Sequence, residues 1–365
     1  ANTRAADGAN WFLSTIKNDQ AVTSAKWMTT ALGVYEIYVN GKLVGEEVLK
    51  PGFTHRAKTK HSFTYDVTEA FNCAANAENQ LSAQVTPGWW ADKIVTPNKY
   101  KGMYGKKCAF RAVLELTFAD GSTKLYGTNL ENWTAGIAGP VTHAAIFDGE
   151  EYDARIKPGF ATPEKLATPE ENFEFTGKIL PANGAEVYLR HDLTLSPVKA
   201  YVWNGIEGAK EKEFGKVVVI REYDADSKVT LNPGETLVVD FGQNAAAVPA
   251  FVFKAKEGTV LTCLPAEILN DGNGAESRGM DGPEGSVHRT NLRAPKDNFI
   301  LKYTFGKGGY AESYPHCTFF GYRYISVTAT DKVTFKSIKS IPVTSIAKSL
   351  ESGTITTGNE LINKL

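Results

Sequence analysis

Three carboxylates fall within six positions, at Asp148, Glu150 and Asp153, with His143 just upstream and Arg155 just downstream. Two carboxylates on a loop can divide the work of breaking a glycosidic bond, one as acid and one as base, if their surroundings split their pKa values. Two plainer readings compete. Asp148-Gly149-Glu150 reads as a turn, with Asp153 paired to Arg155 or accepting backbone N–H groups. The third reading is calcium, because a hard cation wants several carboxylate and carbonyl oxygens. The spacing is not that of an EF-hand, so no cofactor is required and calcium is the one the oxygens could take.

A second group could hold a sugar rather than cut it. Trp89 and Trp90 follow Pro87-Gly88. On an alternating strand one would point inward and the other outward. An outward indole offers a flat face for the C–H side of a pyranose, while the competing reading packs both rings into a core or domain interface. Tyr100 and Tyr104 lie in a Lys/Gly-rich loop and could rim the same groove. His55, His61, His143, His288 and His316 lack the spacing of a zinc hydrolase, and only His143 lies near the carboxylates. A Gly-x-Ser-x-Gly elbow, a phosphate loop and a dinucleotide fingerprint are all missing. The cysteines, Cys73, Cys108, Cys263 and Cys317, are widely spaced with no CxxC, which argues against a cysteine zinc site. They read as buried free thiols, with a Cys73–Cys108 disulfide as the alternative.

Strands and turns must position these groups. Val34–Val39 alternates with Tyr35, Ile37 and Val39 on one face. Asn40-Gly41 then marks a hairpin, because a type I′ turn needs positive φ at both central positions. Residues 111–118 form another strand, turned by Asp120-Gly121. In the second half, strands are expected at 217–220, 236–241, 249–253, 259–264, 322–328 and 333–338. Helical periodicity is almost absent, and Gly or Pro recurs about every ten residues, the rhythm of sandwiches or barrels. The expected fold is all-β: tandem antiparallel β-sandwiches of jelly-roll or concanavalin-like type, with a short helix stub at the C-terminus. The first sandwich spans residues 1–175 and the second 176–350, joined by a Pro/Thr/Glu-rich connector. Residues 351–365 read as the start of a helical domain, with Asn359 or Thr357 capping Leu361, Ile362 and Leu365.

The chain has 365 residues and a net charge of -1, so nucleic acid and anionic membrane surfaces are not expected partners. No apolar run is long enough for a helical membrane span.

Several segments in fixed order resemble the N-terminal region of bacterial α-L-rhamnosidases of glycoside hydrolase family 78. They are Gly33–Gly45, Leu49-Lys50-Pro51-Gly52-Phe53-Thr54, Tyr65-Asp66-Val67-Thr68, and Pro87-Gly88-Trp89-Trp90. Phe147-Asp148-Gly149-Glu150 with Tyr152-Asp153-Ala154-Arg155 follows, then Val239-Asp240-Phe241-Gly242-Gln243-Asn244. Ala266-Glu267-Ile268-Leu269-Asn270, Thr290-Asn291-Leu292-Arg293, Phe320-Gly321-Tyr322-Arg323-Tyr324 and Thr356-Thr357-Gly358-Asn359-Glu360-Leu361 complete the set. Departures are the divergent stretch 272–287, Trp90 where the family usually has tyrosine, and the small Ala245-Ala246-Ala247.

The resemblance implies an inverting hydrolase acting on terminal α-L-rhamnose, with its two carboxylates on a helical barrel roughly 6.5–9.5 Å apart. The family's acidic motif does not occur here. The resemblance therefore implies an accessory, substrate-positioning role, or alternatively an independent rhamnose-binding module that could use calcium. Candidate sugar contacts are Trp89, Trp90, Tyr104, His143, Asp148, Glu150, Asp153 and Arg155, with no catalytic residue. Expected partners are a rhamnose-containing glycan and a catalytic domain of the same polypeptide, in the periplasm or outside the cell. In the second half, Glu267 is expected to bond a neighbouring loop, and Arg323 to pair with Asp240.

Overall fold

Nearly all regular structure is strand in this computed structural model, which describes residues 8–55, 57–92, 102, 104–172, 174–183, 186–224, 227–273, 281–292 and 299–364. Tyr100 and Arg293 fall outside them, as does part of the stretch 272–287.

Alternation builds the first sandwich. In Ala109–Phe118, Phe110, Ala112, Leu114, Leu116 and Phe118 are buried and the residues between them are less so. The period of two puts each apolar set on one face, and burying one large side chain is worth about 1.5–3 kcal/mol. One sheet runs Lys42–Val44, Val34–Val39, Glu78–Thr86, Asn10–Lys17, Thr134–Ile137. The facing sheet runs Lys178–Pro181, Thr59–Asp66, Val22–Leu32, Ala109–Phe118, Thr123–Gly127. Trp27, Ile37, Leu81 and Leu114 fill the space between them. The Asn40-Gly41 turn has φ of 49° and 77°, as type I′ demands. The Asn40 amide nitrogen also donates to the Ala70 carbonyl at 3.0 Å and to Asn79 Oδ1 at 2.9 Å.

The second sandwich is organised by one strand, Thr236–Ala255. The sequence pattern predicts two strands there, at 236–241 and 249–253. The structure keeps it as one. The register against Phe320–Ala329 jumps between Asp240 and Ala245, so the glycine segment is a bulge. Gly242 sits at φ 78°, and its N–H is held by Asp240 Oδ1 at 2.6 Å. Before the bulge the strand pairs with Lys199–Glu207 and Phe320–Ala329; after it, Ala245–Ala247 resume the pairing with Phe320–Tyr322 and the rest pairs with Val333–Thr344. Leu237, Phe253, Tyr322, Val327 and Phe335 are buried in the common core.

Among the described strands, two pairings depart from the expected antiparallel pattern. Gly149–Asp153 lies parallel to Ile300–Thr304, and Lys178–Pro181 parallel to Thr59–Asp66. Strands on either side of residue 175 thus cross over. Val141–Ala145 and Gly149–Asp153 belong to the large second sheet, while Lys178–Pro181 completes the first sandwich. Near the C-terminus, Glu360–Asn363 is one helical turn, and Asn359 Oδ1 accepts from Leu361 N at 2.9 Å as its N-cap. Among the described residues, no helix is long and apolar enough to cross a membrane.

Candidate carbohydrate site

The acidic cluster does not converge. Glu150 is only 3 % exposed, and its Oε2 accepts the backbone N–H groups of His316 at 2.9 Å and Cys317 at 2.8 Å. Burial pushes its carboxyl upward, against the pull of His316 and those two donors. Asp153 is gripped by Arg155, Nε to Oδ1 at 2.9 Å and Nη2 to Oδ2 at 2.6 Å. That hydrogen bonding holds Asp153 below the usual carboxylate range. Asp148 faces His143 Nε2 at 3.9 Å. Gly149 admits the chain between them. It has φ 115°, and a Cβ there would stand 1.9 Å from the Ile300 carbonyl oxygen. The three carboxylates are thus committed to separate partners instead of facing one space or one ion. Among the described residues, no group of three His, Cys, Asp or Glu side chains could hold a metal.

A buried polar centre that sequence reasoning missed lies beside Glu150. Glu36 Oε1 is 2.7 Å from His316 Nδ1, and Glu36 Oε2 accepts from the Tyr38 hydroxyl at 2.7 Å. The adjoining cavity, lined by Glu150, Tyr152 and Tyr314, measures about 30 Å³. That is room for a water, not a sugar.

The tryptophans are not on a strand. Gly88–Ala91 is a helical turn, so the expected in/out alternation fails. Trp90 turns inward at 2 % exposure and donates from Nε1 to the Lys107 carbonyl at 3.1 Å. Trp89 is half-buried against Val34, Leu49 and Ile146. Its ring meets Phe53 edge-on at 6.2 Å, and Phe53 stacks on Tyr104 at 5.7 Å. Phe53 is 57 % exposed. Trp89 and Tyr104 are therefore joined through a phenylalanine at the surface. Trp90, His143, Asp148, Glu150, Asp153 and Arg155 are not part of that contact.

In the second sandwich Arg323 forms a two-pronged pair with Asp240, at 2.8 Å for both bonds, and its guanidinium lies 5.1 Å from the Tyr324 ring. Glu267 accepts from the side-chain amides of Asn244 at 3.3 Å and Asn291 at 3.0 Å. Glu267, Asn270, Arg323 and Tyr324 line an open hollow of about 510 Å³. All four cysteines are free thiols.

A further cleft, of about 410 Å³, opens in the first sandwich between Thr30, Lys60 and Arg111 and the rings of Phe110, Trp133 and Phe175. Its lining comes from six separate segments, which is why no local motif announced it.

Comparison with known proteins agrees with this architecture. The model of the α-L-rhamnosidase N-terminal domain matches residues 20–180, and that of the bacterial α-L-rhamnosidase concanavalin-like domain matches 230–344. An α-L-rhamnosidase of Streptomyces avermitilis is 31% identical over 316 residues, covering 84% of this chain and 25% of that protein. A crystal structure of a Streptomyces avermitilis α-L-rhamnosidase complexed with L-rhamnose superposes with a TM-score of 0.69 at 26% identity, over 91% of this chain and 29% of that one. The α-L-rhamnosidase of Dictyoglumus thermophilum shares the fold, with a TM-score of 0.72 at 21% identity over 98% of this chain and 34% of the other. The chain spans about a quarter to a third of the length of the curated relatives it matches. With both domain models matched in order and both sandwiches built, the chain belongs to the α-L-rhamnosidase family, whose N-terminal and concanavalin-like domains it carries in tandem.

Proposed function

We propose that this chain is the accessory, substrate-positioning and scaffolding region of an inverting α-L-rhamnosidase that removes terminal α-L-rhamnose from glycans. One observation carries the reading: the carboxylates singled out for chemistry are engaged by the scaffold itself. Glu150 is held by two backbone N–H groups, Asp153 by Arg155, and Asp148 faces His143 at 3.9 Å. An inverting pair needs one carboxylate able to activate water and one able to hold a proton for the leaving oxygen. The acid and base are then supplied by another part of the enzyme, against which the second sandwich would sit. A periplasmic or extracellular location suits such work on a glycan. The test is hydrolysis of an aryl α-L-rhamnoside by the purified chain. No turnover is expected, and turnover that persists through further purification removes the reading.

The exposed Phe53 between Trp89 and Tyr104 favours a second reading, in which this surface binds rhamnose by itself. An aromatic face left in water is suited to a sugar's C–H side. Titrating L-rhamnose while following tryptophan fluorescence, with and without a chelator, tests both the surface and any need for calcium. A silent titration by fluorescence and by heat eliminates it.

A further inference from the structure

We propose that the cleft in the first sandwich is a binding site for an acidic sugar, a hexuronate, with Lys60 as the residue that takes its carboxylate. The proposal goes beyond the reading above and does not rest on it, since the cleft shares no lining residue with the Phe53 surface.

Size and walls come first. About 410 Å³ is enough for a pyranose with its substituents. Phe110 and Trp133 are tilted against each other at 5.7 Å and form an apolar wall, with Phe175 nearby. Such a wall suits the C–H face of a sugar ring.

Charge then selects among sugars. Lys60 is 6 % exposed, yet among the described residues no carboxylate lies within 4.0 Å of its ammonium. Its contacts are the Thr54 hydroxyl at 3.4 Å and the Trp90 ring at 5.0 Å. An ammonium has three donors, and a buried charge without a counter-charge is costly. Burial alone pulls Lys60 down to about 8. Arg111, also on the lining, likewise has no carboxylate in reach among the described residues. Among the described lining residues Lys60 and Arg111 are the cations and Glu170 and Glu171 the carboxylates, and Glu170 is already paired with Lys107 at 2.7 Å. A ligand bringing its own carboxylate supplies what Lys60 lacks.

The test is calorimetric titration of the full chain with methyl β-D-glucuronoside and, in parallel, with its neutral counterpart methyl β-D-glucoside. The glucuronoside is expected to bind at least tenfold more tightly and to weaken as salt is raised. K60Q should lose at least tenfold for the glucuronoside, while K60R, which keeps the charge, stays within about threefold of the parent. Matching melting temperatures for the three proteins exclude misfolding. Equal binding of the two glycosides, absence of glucuronoside binding by the folded parent, or K60Q binding like the parent would each overturn the proposal.

Discussion

His316 Nδ1 lies 2.7 Å from Glu36 Oε1, a contact between side chains 280 positions apart that ties the second sandwich to the first. Glu36 sits on the strand Val34–Val39, and His316 follows the short strand Ala311–Ser313. The Tyr314 ring stacks on the imidazole at 4.7 Å. Glu150 receives the backbone N–H of His316 from a third strand. Tyr38, Tyr152, Cys317 and Lys50 complete the titratable surroundings.

Stability should therefore depend on the proton of His316. Burial pulls the imidazole down, but the charge and hydrogen bond of Glu36, with the charge of Glu150, outweigh it and carry it from 6.5 up to about 9. A group raised in the folded state contributes fully below its unfolded pKa and loses that contribution as pH climbs through its folded one. The melting temperature should fall by several degrees between about pH 7 and pH 10. H316Q should melt lower at neutral pH and show a flatter profile over that range. A parent profile parallel to that of H316Q would show that the pair does not couple protonation to folding.

Gly149 should tolerate no side chain. Its φ of 115° and the 1.9 Å approach of a built Cβ to the Ile300 oxygen leave no relaxed alternative, because the obstacle is backbone. Gly149→Ala should cost at least about 3 kcal/mol, or prevent the parallel pairing with Ile300–Thr304 altogether. Urea unfolding measures the loss, and a variant of parental stability would contradict the assigned geometry.

The Asp240–Arg323 pair should matter unequally from its two ends. Asp240 accepts both bonds of Arg323 and also fixes the bulge through the Gly242 N–H. Asp240→Ala should therefore cost about 2–3 kcal/mol, since it frees the bulge and strands a guanidinium. Arg323→Met should cost less, about 1 kcal/mol, because the Arg323 side chain is 38% exposed and water replaces part of what is lost. Equal losses in urea would mean that the bulge does not depend on Asp240.

The fold was readable because its signals are local. Alternation at Val34–Val39 and residues 111–118, and Asn40-Gly41 with its positive φ, each specify their own conformation without help from the rest of the chain. The pair between Asp240 and Arg323 could be read as a reasonable match of charges. Four things could not. Trp89 and Trp90 look like strand residues, but Gly88 at φ 49° sits against Val34 and starts a helical turn. Residues 236–241 and 249–253 look like two strands, but Asp240 fixes Gly242 in a bulge within one continuous strand. The Glu36–His316 contact and the cleft at Lys60 join segments with no shared pattern, so only the tertiary fold brings them together.

The Phe53 surface makes the sharpest prediction for sugar binding. Phe53 is mostly exposed, so Phe53→Ala should leave the melting temperature within about 2 °C of the parent. If the ring is a sugar platform, the same change should weaken L-rhamnose binding at least tenfold, because stacked area is lost with nothing to replace it. Trp89→Ala is a different case. Its ring is half-buried against Val34, Leu49 and Ile146, so stability and binding should fall together. The contrast separates the two roles. A ring that serves only packing would lower melting without a separate effect on the sugar, whereas Phe53→Ala should change affinity alone. If the parent binds L-rhamnose and Phe53→Ala binds it equally well, the site lies elsewhere on the chain.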